Sequence, residues 1–402
     1  MTKRIQILIT VCIFSGLPGS AELSTRILKA GNPEVPGVIV RHEPASSGVF
    51  VGAPSILVLP DGTYVVSLNY TSIKGGDLGK VHKTGIYASG DRGLTWTFLT
   101  EIDHQRWSTL FYHNHALYLI GVYKAFGNIV IRKSTDAGKT WTEPADPAHG
   151  LLAEGRFHCA PVPVVVHDGR IWRAMEEAPR GREFRSFMMS APVDSDLMHA
   201  ESWAFTNKVP YDRDWFDGKM RSWLEGNAVI TPDGGMVNVL RCEFTSGVSD
   251  TAAMVQVNRE GTRASFDPDE GFFCFPGGSK KFTIRYDPES GKYWSLVNWI
   301  QPVDRGYLKQ YQAPRIRNTV ALTSSSDLRH WVIERIILYH PDIDKHAFQY
   351  LDWQFDGKDI IAVSRTAYDD ASGGADSYHN ANYITFHRIP DFRKNFNADP
   401  PW

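Results

Sequence analysis

The octapeptides Ser89-Gly90-Asp91-Arg92-Gly93-Leu94-Thr95-Trp96 and Ser134-Thr135-Asp136-Ala137-Gly138-Lys139-Thr140-Trp141 share the pattern S-x-D-x-G-x-T-W and lie 45 residues apart. Each follows a β-rich run, Gly85 to Ala88 and Asn128 to Arg132, and precedes another strand-like stretch. The residue types suit a hairpin turn. The aspartate accepts backbone N–H groups across the turn, the glycine takes positive φ, and the tryptophan packs between sheets. A structural turn used twice implies a repeated sheet unit. Degenerate copies follow at Ser325 to Trp331, one residue short, and at Asp196 to Trp203.

A second signal runs through the chain as an apolar strand, a polar turn and another apolar strand. It occurs at Pro54 to Leu68, Leu110 to Val122, Pro161 to Ala174, Asn227 to Leu240, Lys281 to Val297 and Phe348 to Val363. Self-similarity at roughly 50 to 65 residues, with four short strands per unit, predicts an all-β β-propeller in which neighbouring blades bury each other's faces. Twelve Trp, 16 Tyr, 34 Gly and 23 Pro fit short strands joined by tight turns. Six blades are counted. Seven is also compatible, because the stretches at Asp267 to Pro276 and Gly306 to Arg317 are long enough to hold further strands. Val35 to Val40 is expected to close the ring by completing the last blade beside Tyr383 to Arg388.

Met1-Thr2-Lys3-Arg4, the apolar run Ile5 to Leu17 and Gly19-Ser20-Ala21 read as a signal peptide cleaved after Ala21. The apolar run is shorter than the roughly 20 residues a membrane-spanning helix needs. The expectation is therefore a single propeller domain over residues 22–402, secreted or periplasmic, with no membrane insertion after cleavage. Cleavage removes Cys12 and leaves Cys159, Cys242 and Cys274, an odd number that permits at most one disulfide among them. No paired metal-ligand spacing is present, so no metal or other cofactor is expected. With 43 basic and 45 acidic residues there is no global field to attract nucleic acid. A charged ligand must be recognised locally.

In a propeller the loops entering the innermost strands converge on one end of the central channel. Those entries here are dense in polar groups, which folding does not require at a buried strand mouth. His158 is the candidate general acid or base. Arg221 can clamp a carboxylate, and Lys280 can add a point charge. Glu225 can act as an acid or orient a sugar hydroxyl, or simply pair with Arg221 four residues earlier. Tyr211, in the aromatic loop Tyr211 to Trp215, can serve as nucleophile or acid where a carboxylate-bearing substrate repels an anionic nucleophile. Trp107, Arg156, Asn227, His346, Asp352 and His379 are candidate sugar contacts.

The two S-x-D-x-G-x-T-W turns resemble the Asp-boxes of sialidase-type propellers, and the resemblance covers nearly the whole mature chain. It implies a glycoside hydrolase acting on an acidic glycan, containing sialic or uronic acid. Sialidases share an arginine in a Phe/Tyr-Arg-Ile-Pro segment on the first inner strand, where this chain reads Val51-Gly52-Ala53-Pro54-Ser55-Ile56. Val51 to Tyr64, Phe275 to Asp287 and Asn382 to Arg388 look more like secreted sialidase-like propellers, a neighbourhood with α-L-rhamnosidases and ulvan lyases. Where the rhamnosidases carry a histidine, this chain has Leu68. The lyases use histidine, tyrosine and arginine, for which His158, Tyr211 and Arg221 are the nearest matches. A polysaccharide lyase and a non-catalytic glycan-binding propeller are the alternative expectations.

Overall fold

A computed structural model describes residues 34–73, 82–181 and 183–394. Six antiparallel sheets follow one another along the chain, each beginning at an inner strand and proceeding outward. Blade 1 consists of Val49–Val58, Tyr64–Ser72, Lys83–Ser89 and Thr97–Asp103. Blade 2 consists of Gln105–His113, Ala116–Tyr123, Ile129–Ser134 and Leu151–Ala153. In blade 3 the inner strand is broken into Phe157–His158 and Val165–His167, both paired with Arg170–Glu177. The break contains Pro161 and Pro163, which cannot donate to a ladder. Blade 4 starts at Met220–Ile230, blade 5 at Thr283–Asp287 and blade 6 at Ala347–Asp356.

The fold is therefore an all-β six-bladed propeller, and the stretches that left room for a seventh blade are otherwise used. Asp267 to Pro276 supplies a short helix, Pro268–Gly271, and an extra edge strand, Phe272–Cys274, on blade 4. Gly306 to Arg317 forms 3-10 turns within the long second-to-third connection of blade 5. Closure follows expectation with a shift of about three residues in the strand bounds. The strand Val38–His42 pairs antiparallel with Tyr383–Ile389 as the outermost strand of blade 6. First and last segments thus share one sheet.

The repeated turns occupy the third-to-fourth-strand connections of blades 1, 2 and 5. Asp91 accepts from the Ser89 hydroxyl (2.8 Å) and Thr95 N (2.9 Å), and Asp136 accepts from Ser134 (2.8 Å) and Thr140 N (2.9 Å). In the shortened copy, Asp327 accepts from Arg329 N and His330 N, both at 2.8 Å. These bonds hold Asp91 and Asp136 down at about 2, hydrogen bonds from Thr95 and Thr140 being the largest cause. Interblade packing is apolar. The face between blades 3 and 4, for example, buries Trp172, Met188, Trp223, Leu240 and Phe244.

Near the axis, polar side chains tie neighbouring blades together. Asp352 accepts from the Ser55 hydroxyl (2.9 Å) and Ile56 N (3.0 Å), joining blades 6 and 1. Thr109 exchanges bonds with Val162 across blades 2 and 3. Asn227 donates to Phe282 O and accepts from Ile284 N across blades 4 and 5, and Thr283 donates to Leu351 O across blades 5 and 6. Buried groups of this kind must be paired, and here the pairing sets the register of the ring. Cys159 and Cys242 are free and buried, so neither forms the disulfide that the odd count permitted.

Candidate active site

A cavity of about 630 Å³ opens at the end of the propeller where the inner strands begin. The local backbone explains which side chains enter it. Four inner strands carry the same irregularity, a register shift between Gly52 and Ser55, Arg106 and Thr109, Leu224 and Asn227, and Gln349 and Asp352. At each shift one non-glycine residue takes positive φ: Ala53 (45°), Trp107 (52°), Glu225 (57°) and Tyr350 (55°). Such bulges re-aim a side chain, and left-handed backbone at a non-glycine residue is strained. All four residues line the cavity.

Two of them meet. The Tyr350 hydroxyl donates to Glu225 Oε1 at 2.8 Å, while Glu225 Oε2 accepts from Arg241 Nη1 at 2.6 Å. Arg241 also donates to Glu243, so its charge is shared between two carboxylates. Burial acts to raise Glu225, but the Arg241 charge and then that of His158 outweigh it and hold the carboxyl below its ordinary value. Tyr350 moves the other way, raised first by burial and then by Glu225. The pair rests as phenol and carboxylate.

Two further guanidiniums flank the phenol ring, Arg317 at 5.5 Å and Arg365 at 5.4 Å from its centroid. Their hydrogen bonds go to neutral groups. Arg317 donates to Pro314 O (2.6 Å) and Gln349 Oε1, and Arg365 to His379 O. No carboxylate pairs with either among the described residues. Each is 6% exposed, and burial pushes Arg365 down to about 10. The Glu225 charge acts on Arg365 without bonding to it; a buried cation with no directly bonded carboxylate is costly, and a bound anion relieves that cost.

Another part of the lining is aromatic. His158 lies among Trp107 (4.7 Å), Phe184 (4.8 Å) and Phe126 (5.8 Å), measured between ring centroids. Its Nδ1 lies 2.9 Å from Glu176 Oε2, so exchange of a proton with a ligand falls to Nε2. The other oxygen of Glu176 accepts from Gly226 N at 3.1 Å, next to Glu225. One buried carboxylate thus links the imidazole to the bulge that carries the glutamate.

The cavity brings together five of the residues expected from sequence: Trp107, His158, Arg221, Glu225 and His379. Glu225 pairs with Arg241 instead of Arg221, because Arg221 donates to Gln312 Oε1 (2.9 Å) at the rim. Six others do not line it. Tyr211 packs against the apolar cluster between blades 3 and 4. Arg156 donates to Ala178 O. Asn227 and Asp352 point the other way at their bulges and serve the interblade ring. Lys280 is buried with no hydrogen-bond partner for Nζ, and burial lowers it to about 7. His346 stacks on His340 (3.6 Å) and holds Asp342. Among the described residues His340, Asp342 and His346 form the sole cluster of three potential metal ligands. Its two imidazoles lie face to face, whereas a shared ion needs lone pairs converging within the ring planes.

No protein-family model matches the sequence, and no curated protein matches it either. The fold has many solved counterparts. An α-L-arabinanase from Penicillium chrysogenum aligns with a TM-score of 0.53 at 13% identity, covering 88% of this chain and 97% of that one. A Hadza microbial sialidase aligns at 0.53 and 13%, covering 88% and 68%. A leech intramolecular trans-sialidase aligns at 0.54 and 9%, covering 90% and 71%. The chain has the six-bladed propeller fold of these proteins.

Proposed function

We propose that this protein is a glycoside hydrolase that cleaves an acidic sugar, of the sialic or uronic acid type, from a glycan. The observation that carries the reading is the Tyr350–Glu225 hydrogen bond beside two buried guanidiniums whose hydrogen bonds, among the described residues, go only to neutral groups. The sugar carboxylate takes its place at Arg317 and Arg365, where planar forks match it. A carboxylate nucleophile at that position would be repelled by the substrate, whereas a neutral phenol is not, and tyrosine is a known nucleophile in such hydrolases. Glu225, ionised beside Arg241, takes the phenol proton as Tyr350 Oη bonds to the anomeric carbon. The leaving oxygen takes a proton from His158 Nε2. Water then enters by the reverse path, releasing the sugar and regenerating the phenol.

Three considerations support this. The solved neighbours named above include sialidases and an arabinanase, all carbohydrate-active. The arginine of the sialidase first-strand motif is missing, yet a guanidinium still reaches that point. A Cβ built on Gly52 would lie 3.3 Å from Arg365 Cδ and Nη1, so the absent side chain leaves room for Arg365. Lastly, the residues lining the cavity include six arginines against two glutamates, in a chain whose formal net charge is −2. Export through the amino-terminal segment, which lies outside the described residues, places the enzyme where such glycans occur. Among the described residues no helix is long and apolar enough to cross a membrane.

The test is turnover of a panel of sialic- and uronic-acid glycosides by wild type and Tyr350→Phe. Reducing ends released by wild type and lost in the variant are expected. An unsaturated, ultraviolet-absorbing product would replace hydrolysis by elimination, and binding without any product would leave a glycan-binding module.

A further inference from the structure

The long second-to-third-strand connection of blade 5 does more than join strands. It carries the 3-10 turns Pro302–Lys309 and Ala313–Arg315, and packs on a core of its own from Ile300, Ala313, Ile316 and Ile343. A segment with its own core presents side chains from a fixed platform. Gln312 and Arg315 line the cavity together with Arg221 of blade 4, and Gln312, three residues before Arg315, is the group that Arg221 meets. Arg221 is exposed, and its hydrogen bond is to the neutral Gln312 amide at 2.9 Å, which positions the guanidinium without neutralising it. Arg315 lies over the ring of Tyr311 (4.3 Å) and that of Tyr378 (5.2 Å), and Asp344, its one carboxylate partner among the described residues, is exposed. Arg317 and Arg365 sit buried at the Tyr350 ring, while Arg315 shares the Tyr378 ring with Arg317, at 5.2 and 5.8 Å.

We infer that Arg221 and Arg315 form a second anion subsite, which binds the next acidic residue of a glycan whose negative charges recur along the chain. The inference rests on the proposed function, since it needs the first acidic sugar seated at Tyr350. The cavity exceeds the needs of a single sugar ring and lies in the size range of sites for larger ligands. Neutral anchoring of Arg221, together with the aromatic support of Arg315, favours recognition of a planar anion over a merely solvated charge. The substrate class is then a polyanionic glycan and not a chain with a single acidic cap.

The experiment is calorimetric titration of the full chain with galacturonic acid, digalacturonic acid, sialic acid and disialic acid at two ionic strengths. Wild type should bind one of the diacids at least tenfold more tightly than its monoacid, with a steeper salt dependence. Arg221→Ala combined with Arg315→Ala should remove that difference and leave monoacid affinity within threefold. Equal affinity of wild type for monoacids and diacids would overturn the second subsite while leaving the first intact. Failure of every acidic sugar to bind, with Arg365→Met making no difference, would overturn the proposed function itself and the subsite with it.

Discussion

Replacing Arg365 with methionine removes a guanidinium that is buried, bonded to a carbonyl and flanked by the rings of Phe50 (5.1 Å) and Tyr350 (5.4 Å). Burial lowers the group from 12.5 to about 10. At about 1.36 kcal/mol per unit, the folded protein disfavours the charged form by about 3 kcal/mol. Losing the carbonyl bond costs about 1.5–3 kcal/mol on the scale for charged donors, and methionine fills much of the vacated volume. The two effects nearly cancel, so unfolding free energy should stay within about 1 kcal/mol of wild type or rise. Binding should behave differently. Removing one partner of a buried charge pair costs about 2–5 kcal/mol, so affinity for an acidic monosaccharide should fall by about thirtyfold to several thousandfold. Guanidinium chloride denaturation and calorimetric titration read the two quantities separately. A loss of more than about 2 kcal/mol in stability with unchanged affinity would make Arg365 a structural arginine and refute the reasoning.

Further tests address the nucleophile, the ring and acid sensitivity. Tyr350→Phe and Glu225→Gln should each lower kcat by at least about a thousandfold, as expected for members of one nucleophilic unit, while acidic-sugar affinity in a titration changes by less than tenfold; comparable turnover in either variant excludes the pair from the chemistry. Asp352→Ala leaves the Ser55 hydroxyl, Ile56 N and Arg285 without their buried acceptor, and should cost about 3–5 kcal/mol in a denaturation experiment; a change under 1 kcal/mol contradicts its role in joining blades 6 and 1. His387 is held down at about 4 by burial, so the unfolded chain binds more protons between pH 4 and 6.5. Its contribution is complete above pH 6.5 and lost as pH falls through 4, by up to about 3 kcal/mol. His387→Gln should flatten that acid limb of the stability profile, and an unchanged slope would assign it to other groups.

The repeats made the architecture readable, because a propeller must write its blade into the sequence several times. The paired octapeptides located the outer turns, the six hairpins located the inner strands, and the segment near residue 38 supplied the closing strand. Side-chain direction was far less readable. Tyr350 lies between His346 and Asp352 in an entry segment recognised from sequence, yet the alternation of a regular strand gives no reason to select it. The bulge at Gln349 to Asp352 adds one residue and exchanges the faces, sending Tyr350 to the cavity and Asp352 to the interblade ring. The same exchange separates Glu225 from Asn227. Arg241 and Arg365 escaped notice because they sit on second strands, whose membership of the cavity depends on how far a long side chain reaches. Arg317 lies at the end of an insertion that matches no repeat. One signal was present throughout: Trp107-Ser108-Thr109, Glu225-Gly226-Asn227 and Tyr350-Leu351-Asp352 each set a large or charged residue two places before a hydrogen-bonding one.

The most direct measurement is mass spectrometry of the protein quenched during reaction with a fluorinated acidic glycosyl donor, whose slowed second step lets a covalent sugar adduct accumulate. The account predicts one sugar per chain, mapped to the peptide containing Tyr350 and absent in Tyr350→Phe. An adduct on another residue, or turnover of the donor with Tyr350 replaced, would contradict it.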